Sequence, residues 1–255
     1  MYETIREEII QIEIDFNVKV LYACESGSRA WGFPSKDSDY DVRFIYIHQK
    51  DWYLSIDQKR DVIELPINNL LDINGWELTK ALRLFRKSNP PLLEWLHSSI
   101  VYYEAYTVID KIRKLEPYAF APTSCLYHYL NMAKGNYRDY LRNDLVKVKK
   151  YFYMLRPILA CKWIERKNTM PPIEFPVLLE EIVAEGLLKD EINKLLERKI
   201  AGEELNVEPR IDVINEFLEK EIIHLEHYVK SLNVEKKDIT DKLDTLFRDA
   251  LDEVW

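Results

Sequence analysis

A change in hydrophobic period near residue 75 constrains the fold of this chain more than any other feature. Before it, four short runs are rich in β-branched and aromatic residues: "VKVLYAC" (18–24), "YDVRFIYI" (40–47), "RDVIELPI" (60–67) and "NLLDI" (69–73). Runs of this kind read as strands. After it, apolar residues recur at helical spacing over 91–97, 106–115, 123–142, 145–166, 174–185, 187–200, 208–231 and 238–253. Residues 4–14, with Ile5, Ile9, Ile10 and Ile12 among charges, predict a short amphipathic helix ahead of the first strand. "NGWELTKALRLFRKSN" predicts another, with Asn74 and Glu77 as a capping box and Pro90-Pro91 as its stop. Pro157 predicts a kink or division of the helix over 145–166. The expected architecture is α+β, with a small mixed sheet and helices over 1–100 followed by an all-helical domain over 101–255. Loops are expected near 167–172 and 201–209.

The net charge of −8 argues against a protein that coats duplex nucleic acid, since such binding depends on neutralising many phosphates. The charge is unevenly spread, however. Residues 128–167 hold ten Lys/Arg against three Asp/Glu, whereas 173–226 hold six against fifteen, so one face can be basic while another is acidic. The opening "MYETIREEIIQIEIDF" has no basic segment followed by a long apolar one, and nowhere do 18 apolar residues run together. A cytoplasmic protein without a membrane partner is expected. Cys24, Cys125 and Cys161 are far apart and lack paired CxxC spacing, which predicts reduced, buried thiols.

The chemistry concentrates in "CESGSRAWGFPSKDSDYDVRFIYI" (24–47). Residues two apart in a strand point the same way, so Asp39 and Asp41 are expected to project together with Cα atoms about 7 Å apart. Paired carboxylates repel unless a cation lies between them. A few hard oxygen ligands, with room left for water and phosphates, are what Mg²⁺ sites use. Upstream, Gly27 and Ser28 end the first strand, where a tight turn can offer backbone N–H groups and a hydroxyl to a phosphate. Phosphate grip and metal carboxylates in that order suit a nucleoside triphosphate with Mg²⁺.

Rival readings are weaker. Asp37, Asp39 and Asp41 imitate the start of a calcium loop, but Val42 stands where the sixth-position glycine belongs and His48 where the twelfth-position glutamate belongs. A D-x-D pair also occurs in metal-dependent sugar transferases, and "PSKDSDYD" could be a plain polar turn; neither explains the Gly-Ser upstream. A two-metal site usually takes a further carboxylate from a neighbouring strand, for which Glu64, Asp72 and Glu77 are candidates. Asp72 is chosen because it is an acid between apolar neighbours on a short strand.

"GSRAWGFPSKDSDYDVRFIY" resembles the G-S…D-x-D signature of the DNA polymerase beta nucleotidyltransferase superfamily. "DINGWELTKALRLFRKSNPPLLEWLHSSIVY" and "KYFYMLRPILACKWI" are similar to its bacterial and phage branch associated with RNA repair, and the likeness spans roughly residues 20–220. The resemblance implies a polymerase-beta-like nucleotidyltransferase domain followed by a helical acceptor- or nucleotide-binding region. It implies template-independent transfer of an NMP from an NTP to an acceptor hydroxyl, with release of pyrophosphate. Gly27 and Ser28 would be the phosphate-binding turn, Asp39 and Asp41 the metal-binding and catalytic pair, and Asp72 the third carboxylate. Two Mg²⁺ ions, or Mn²⁺ in their place, would be held there.

Positive charge must offset the triphosphate, and Arg29, Arg43 and Lys80 are the candidates, with Arg83 and Lys87 on the side of the helix that carries Lys80. Tyr127, Tyr129, Tyr137, Tyr140, Tyr151 and Tyr153 interleave with basic residues; stacking on bases is one use for them, burial between helices the commoner one. Lys147, Lys149 and Lys150 are the better pointer to an RNA acceptor. The alternatives are a protein acceptor receiving AMP, or a nucleotide- or RNA-binding module without catalysis.

Overall fold

The computed structural model describes residues 1–68, 70–203, 205–233 and 238–255. In chain order its elements are α1 (Tyr2–Phe16), β1 (Val18–Ser26), α2 (Gly27–Ala30), β2 (Tyr40–His48), α3 (Lys50–Tyr53), β3 (Val62–Glu64), β4 (Leu71–Glu77), α4 (Leu78–Arg86), α5 (Pro90–Leu96), β5 (Val101–Glu104), α6 (Val108–Ala119) and α7 (Pro122–Tyr140). Then come β6 (Leu145–Lys147), a 3₁₀ turn (Val148–Tyr151), α8 (Phe152–Lys167), α9 (Phe175–Ile182), α10 (Leu187–Ile200), β7 (Val207–Pro209), α11 (Asp212–Ser231) and α12 (Thr240–Val254). The mixed α+β architecture is as expected. The chain divides into two units: Met1–Ala30, Asp39–Phe120 and α12 form the first, and Trp31–Ser38 with the chain from Ala121 through α11 forms the second.

The first unit is built on a five-stranded sheet of order β3-β4-β2-β1-β5. β2 and β4 are parallel; the other neighbours are antiparallel. β1 is buried along almost its whole length, which is why its sequence reads as a nearly unbroken apolar run. A register shift between Val20 and Tyr22 turns Leu21 out of simple alternation. One face packs Ile5, Ile9 and Ile12 of α1 against Val20, Val42, Phe44 and Ile73. On the chain's other helical elements, Leu78, Ala81 and Phe85 of α4 and Leu92 and Leu93 of α5 are equally buried. Gly75 lies opposite Phe44 in the β2–β4 ladder, and a Cβ there would meet the Phe44 ring at 2.2 Å, so only glycine lets the ring lie flat on the strand.

Several elements differ from the sequence expectation. Residues 74–77, read as the start of a helix, extend β4, with Asn74 opposite Arg43. The Asn74/Glu77 capping box therefore does not form; Glu77 is itself the N-cap of α4, accepting from the Thr79 N–H at 2.8 Å. The run read as a strand over 60–67 is a strand only at 62–64. Asn69, the start of the fourth run, and Glu204, in the loop over 201–209, lie outside the described residues. β5 completes the sheet where no strand was expected, because "VYYE" (101–104) is short and its partner β1 lies far back in the chain. β5, α6 and α12 belong with the sheet although all three fall beyond residue 100.

The second unit packs α7, α8, α9 and α11 through Leu126, Tyr129, Leu155, Leu159, Phe175, Leu179, Ile214 and Leu218. Phe33, from the loop after α2, enters this core beside Phe152 and Phe175, with ring centroids 5.0 and 5.6 Å away. The helix expected over 145–166 starts late, at Phe152, because 145–147 pair antiparallel with 207–209 instead. The unit is thus not purely helical. Pro157 neither ends nor divides α8.

Candidate active site

One edge of the sheet gathers the carboxylates. β1 ends there at Ser26, in register with Asp41 at the start of β2, and Asp41 in turn faces Asp72 at the start of β4. The parallel pairing of β2 and β4 is what sets two acids, far apart in sequence, side by side. Gly27 follows with φ of +63°, a left-handed conformation that favours glycine. A Cβ on Gly27 would fall 2.1 Å from Asp41 Oδ2, so the Asp41 carboxylate rests directly on the turn.

Arg43 fastens the two acids. Its Nη2 donates to Asp72 Oδ2 at 2.8 Å and to Asp41 Oδ1 at 3.3 Å, while Nη1 donates to the carbonyls of Asp72 and Val42 at 3.0 and 2.9 Å. The strand stays regular from Asp41 to Arg43, so both side chains share a face. Burial pushes the Asp41 carboxyl up from its ordinary range, Arg43 offsets part of this, and Asp72 and Asp39 add to it by like-charge repulsion. Asp39 is exposed just before β2, and its carbonyl accepts from Arg29 Nε at 3.1 Å. The Arg29 guanidinium lies 3.7 Å from the centre of the Tyr40 ring.

A residue that the sequence reading overlooked stands behind this edge. Glu25 is 1% exposed, and its carboxylate accepts from the Asp41 backbone N–H at 2.8 Å and from the Tyr102 hydroxyl. The Ser98 hydroxyl holds the Glu25 carbonyl at 2.7 Å. Burial raises the Glu25 pKa, while the two hydrogen bonds work the other way. Its role is to fix the backbone at Asp41. An acid ending the apolar run "VLYACE", two residues before Gly27, was the available signal.

The remaining candidates are placed elsewhere. Lys80 is in the first turn of α4, beyond the far end of β4 from Asp72, a strand length of about 16 Å away, and it pairs with Asp61 at 3.0 Å. The structure therefore does not bring Lys80, a candidate for phosphate contact, together with the carboxylates. Glu77 is fully buried as the cap of α4 and accepts from the Tyr53 hydroxyl at 2.6 Å, and Glu64 pairs with Arg60. Of the three acids considered as third carboxylate, Asp72 is the one set against Asp41. Among the described residues no three His, Cys, Asp or Glu groups already enclose a metal position, and Arg43 is paired with both Asp41 and Asp72. The donor chemistry nonetheless fits Mg²⁺, which takes one or two carboxylates and completes its shell with water and phosphate. The three cysteines are buried, and burial pushes the Cys24 thiol up to about 12.

The family model described as the RNA repair pathway DNA polymerase beta family matches residues 1–249. The chain belongs to that family. The family is one of polymerase beta-like nucleotidyltransferases. Among curated relatives the chain is 59% identical over 255 residues to the uncharacterized protein YcgL of Bacillus subtilis (strain 168), covering 100% of this chain and 98% of that one. Among solved structures it is similar to a nucleotidyltransferase-like protein from Exiguobacterium sibiricum 255-15, with 16% identity, a TM-score of 0.32, and coverage of 89% of this chain and 75% of that one. Among the described residues of this family member no helix is long and apolar enough to cross a membrane.

Proposed function

We propose that the protein is a template-independent nucleotidyltransferase that moves an NMP from an NTP to the 3′-hydroxyl of an RNA, releasing pyrophosphate. The observation that carries the reading is the contact of the Asp41 carboxylate with the Gly27 turn, with Asp72 beside it in register. A carboxylate pressed against a turn that can receive phosphate repels that phosphate unless a cation lies between them, and a metal-bound triphosphate would supply one. Asp39 and Asp41, with Asp72 as the third acid, would hold Mg²⁺ or Mn²⁺. Such ions, when bound, neutralise the triphosphate and make the acceptor hydroxyl more acidic.

The chain's own residues contribute position and charge. Gly27 and Ser28 seat the phosphates, and Arg29 supplies positive charge next to Asp39. Glu25 and Tyr102 keep Asp41 in place. Arg43 acts as the counter-cation of Asp41 and Asp72 in the free protein, a place that Mg²⁺ would take over if the two acids held it.

The test is label transfer and pyrophosphate release from each α-labelled NTP with Mg²⁺, using short RNAs that end in a 3′-hydroxyl or a 3′-phosphate, beside Asp41→Asn. Transfer to the hydroxyl-ended RNA, lost in the variant, supports the reading and names the nucleotide. Label on a protein instead would replace the acceptor with a protein receiving the NMP. No turnover with any acceptor would leave a nucleotide- or RNA-binding module.

A further inference from the structure

The second unit brings four lysines together that no acid neutralises among the described residues: Lys147, Lys149, Lys150 and Lys199. Tertiary pairing assembles them. The β6–β7 ladder ties 145–147 to 207–209, and the Val148 N–H donates to the Asn206 carbonyl at 3.1 Å, which carries the lysines of the 3₁₀ turn to the end of α10. Two acids of that neighbourhood are committed to another cation. Glu208 accepts from Arg198 at 3.0 and 2.6 Å and Glu203 from Arg198 at 2.8 Å, so the next residue, Lys199, is left with a neutral partner, Ser35 Oγ at 3.1 Å.

Burial and the ammonium of Lys149 both lower the Lys199 pKa. Like charges held together in partial burial are unfavourable unless an anion joins them. A cation in the last turn of a helix can be explained by the helix dipole alone, but that accounts for Lys199 and not for Lys149 beside it. The anion is narrowed by what surrounds the lysines. Lys150 lies 4.6 Å from the Tyr140 ring centre and 4.7 Å from that of Tyr153, and Lys147 lies 5.9 Å from Tyr140. Tyr129 and Tyr151, by contrast, are buried in the core; of the exposed or half-buried members of the tyrosine series, Tyr140 and Tyr153 are the two whose rings lie beside these lysines. Ammonium groups alternating with aromatic faces are how single-stranded nucleic acid is held.

We propose that Lys147, Lys149, Lys150 and Lys199, with the Ser35 hydroxyl, form a binding site for the phosphate backbone of single-stranded RNA, with Tyr140 and Tyr153 along it. The site deepens the reading above, on whose RNA acceptor it rests. The test is fluorescence anisotropy of a labelled single-stranded RNA with the full chain, in EDTA and without nucleotide, over a salt series. Lys149→Ala/Lys199→Ala should bind at least about tenfold more weakly at low salt, and the slope of log K against log salt should fall by about 0.7 for each phosphate contact removed. Lys194→Ala, which removes a lysine paired with Glu191 on the same helix, serves as the control and should leave the slope unchanged. Thermal melts of the double variant should stay close to the wild type, since relief of the Lys149–Lys199 repulsion offsets loss of the hydrogen bond to Ser35. Unchanged RNA affinity and slope in the double variant would overturn the site, and so would a loss confined to NTP or pyrophosphate binding. RNA binding that depends on these lysines in a protein that transfers nothing upholds the site and sinks the transfer reading; transfer to RNA that is indifferent to them does the reverse.

Discussion

Replacing Gly27 by alanine separates the backbone function of this residue from its contact with Asp41. At φ of +63° an alanine costs about 1–2 kcal/mol from the left-handed conformation itself. For a chain of this size that corresponds to a fall in Tm of about 2–8 °C. The new Cβ would stand 2.1 Å from Asp41 Oδ2, where an ordinary contact is 3.4–4 Å. The carboxylate, being the end of a side chain, can move, so the overlap adds little to the loss of stability and falls instead on the site. A displacement of about 1 Å at a reacting centre is worth about 10²-fold in rate. The expected result is thus a modestly destabilised protein with transfer activity down by about two orders of magnitude. Gly75→Ala supplies the contrast, because its Cβ would meet the buried Phe44 ring at 2.2 Å, an overpacking worth about 1–3 kcal/mol remote from the carboxylates. Stability is followed by thermal melts and activity by label transfer, normalised to folded protein. If Gly27→Ala transfers as well as Gly75→Ala after that normalisation, the contact between turn and carboxylate is not what the chemistry uses.

Four further outcomes follow from the same geometry. Asp41→Asn should abolish transfer yet leave the Tm of the metal-free protein equal or higher, because the ionised carboxyl is disfavoured by burial and by Asp72 and Asp39. The same shift has a pH consequence: carboxyls whose pKa rises on folding, here Asp41 and Glu25, contribute no penalty below their ordinary values near about pH 4 and a full one above their raised values, so this part of the stability falls as pH rises between them. Urea unfolding at a series of pH values, with wild type compared against Asp41→Asn, measures the difference. Arg43→Gln should lower the metal-free Tm and enlarge the Tm increase produced by Mg²⁺, because the counter-cation of two acids is gone; an unchanged Mg²⁺ increment would count against the exchange. Tyr102→Phe should destabilise by about 1–3 kcal/mol through loss of the donor to buried Glu25 and reduce kcat more than KM, as a misplaced Asp41 would require.

Local pattern made much of this site legible. The apolar runs at 18–24 and 40–47, the Gly-Ser break and the alternating aspartates are short-range features; the structure puts the break at the end of β1 and Asp41 in β2, with Asp39 just ahead of the strand. Helical spacing likewise located most of the helices, because amphipathic periodicity is a property of the segment itself.

What the sequence could not decide depends on partners far away in the chain. Asp72 meets Asp41 only because β2 and β4 pair in parallel, and that register is set by which faces the sheet must bury. Lys80, equally plausible as a cation, lies beyond the opposite end of that strand. Glu25 gains its place from Tyr102 on a strand too short to announce itself, and Arg43 becomes a clasp instead of a free charge once two carboxylates are brought within its reach. The same holds for Lys149 and Lys199, neighbours through a three-residue ladder that no local period anticipates. Sequence alone determined which residue types and local elements were present; tertiary packing, which minimises exposed apolar surface over the whole unit, decided which charges face one another.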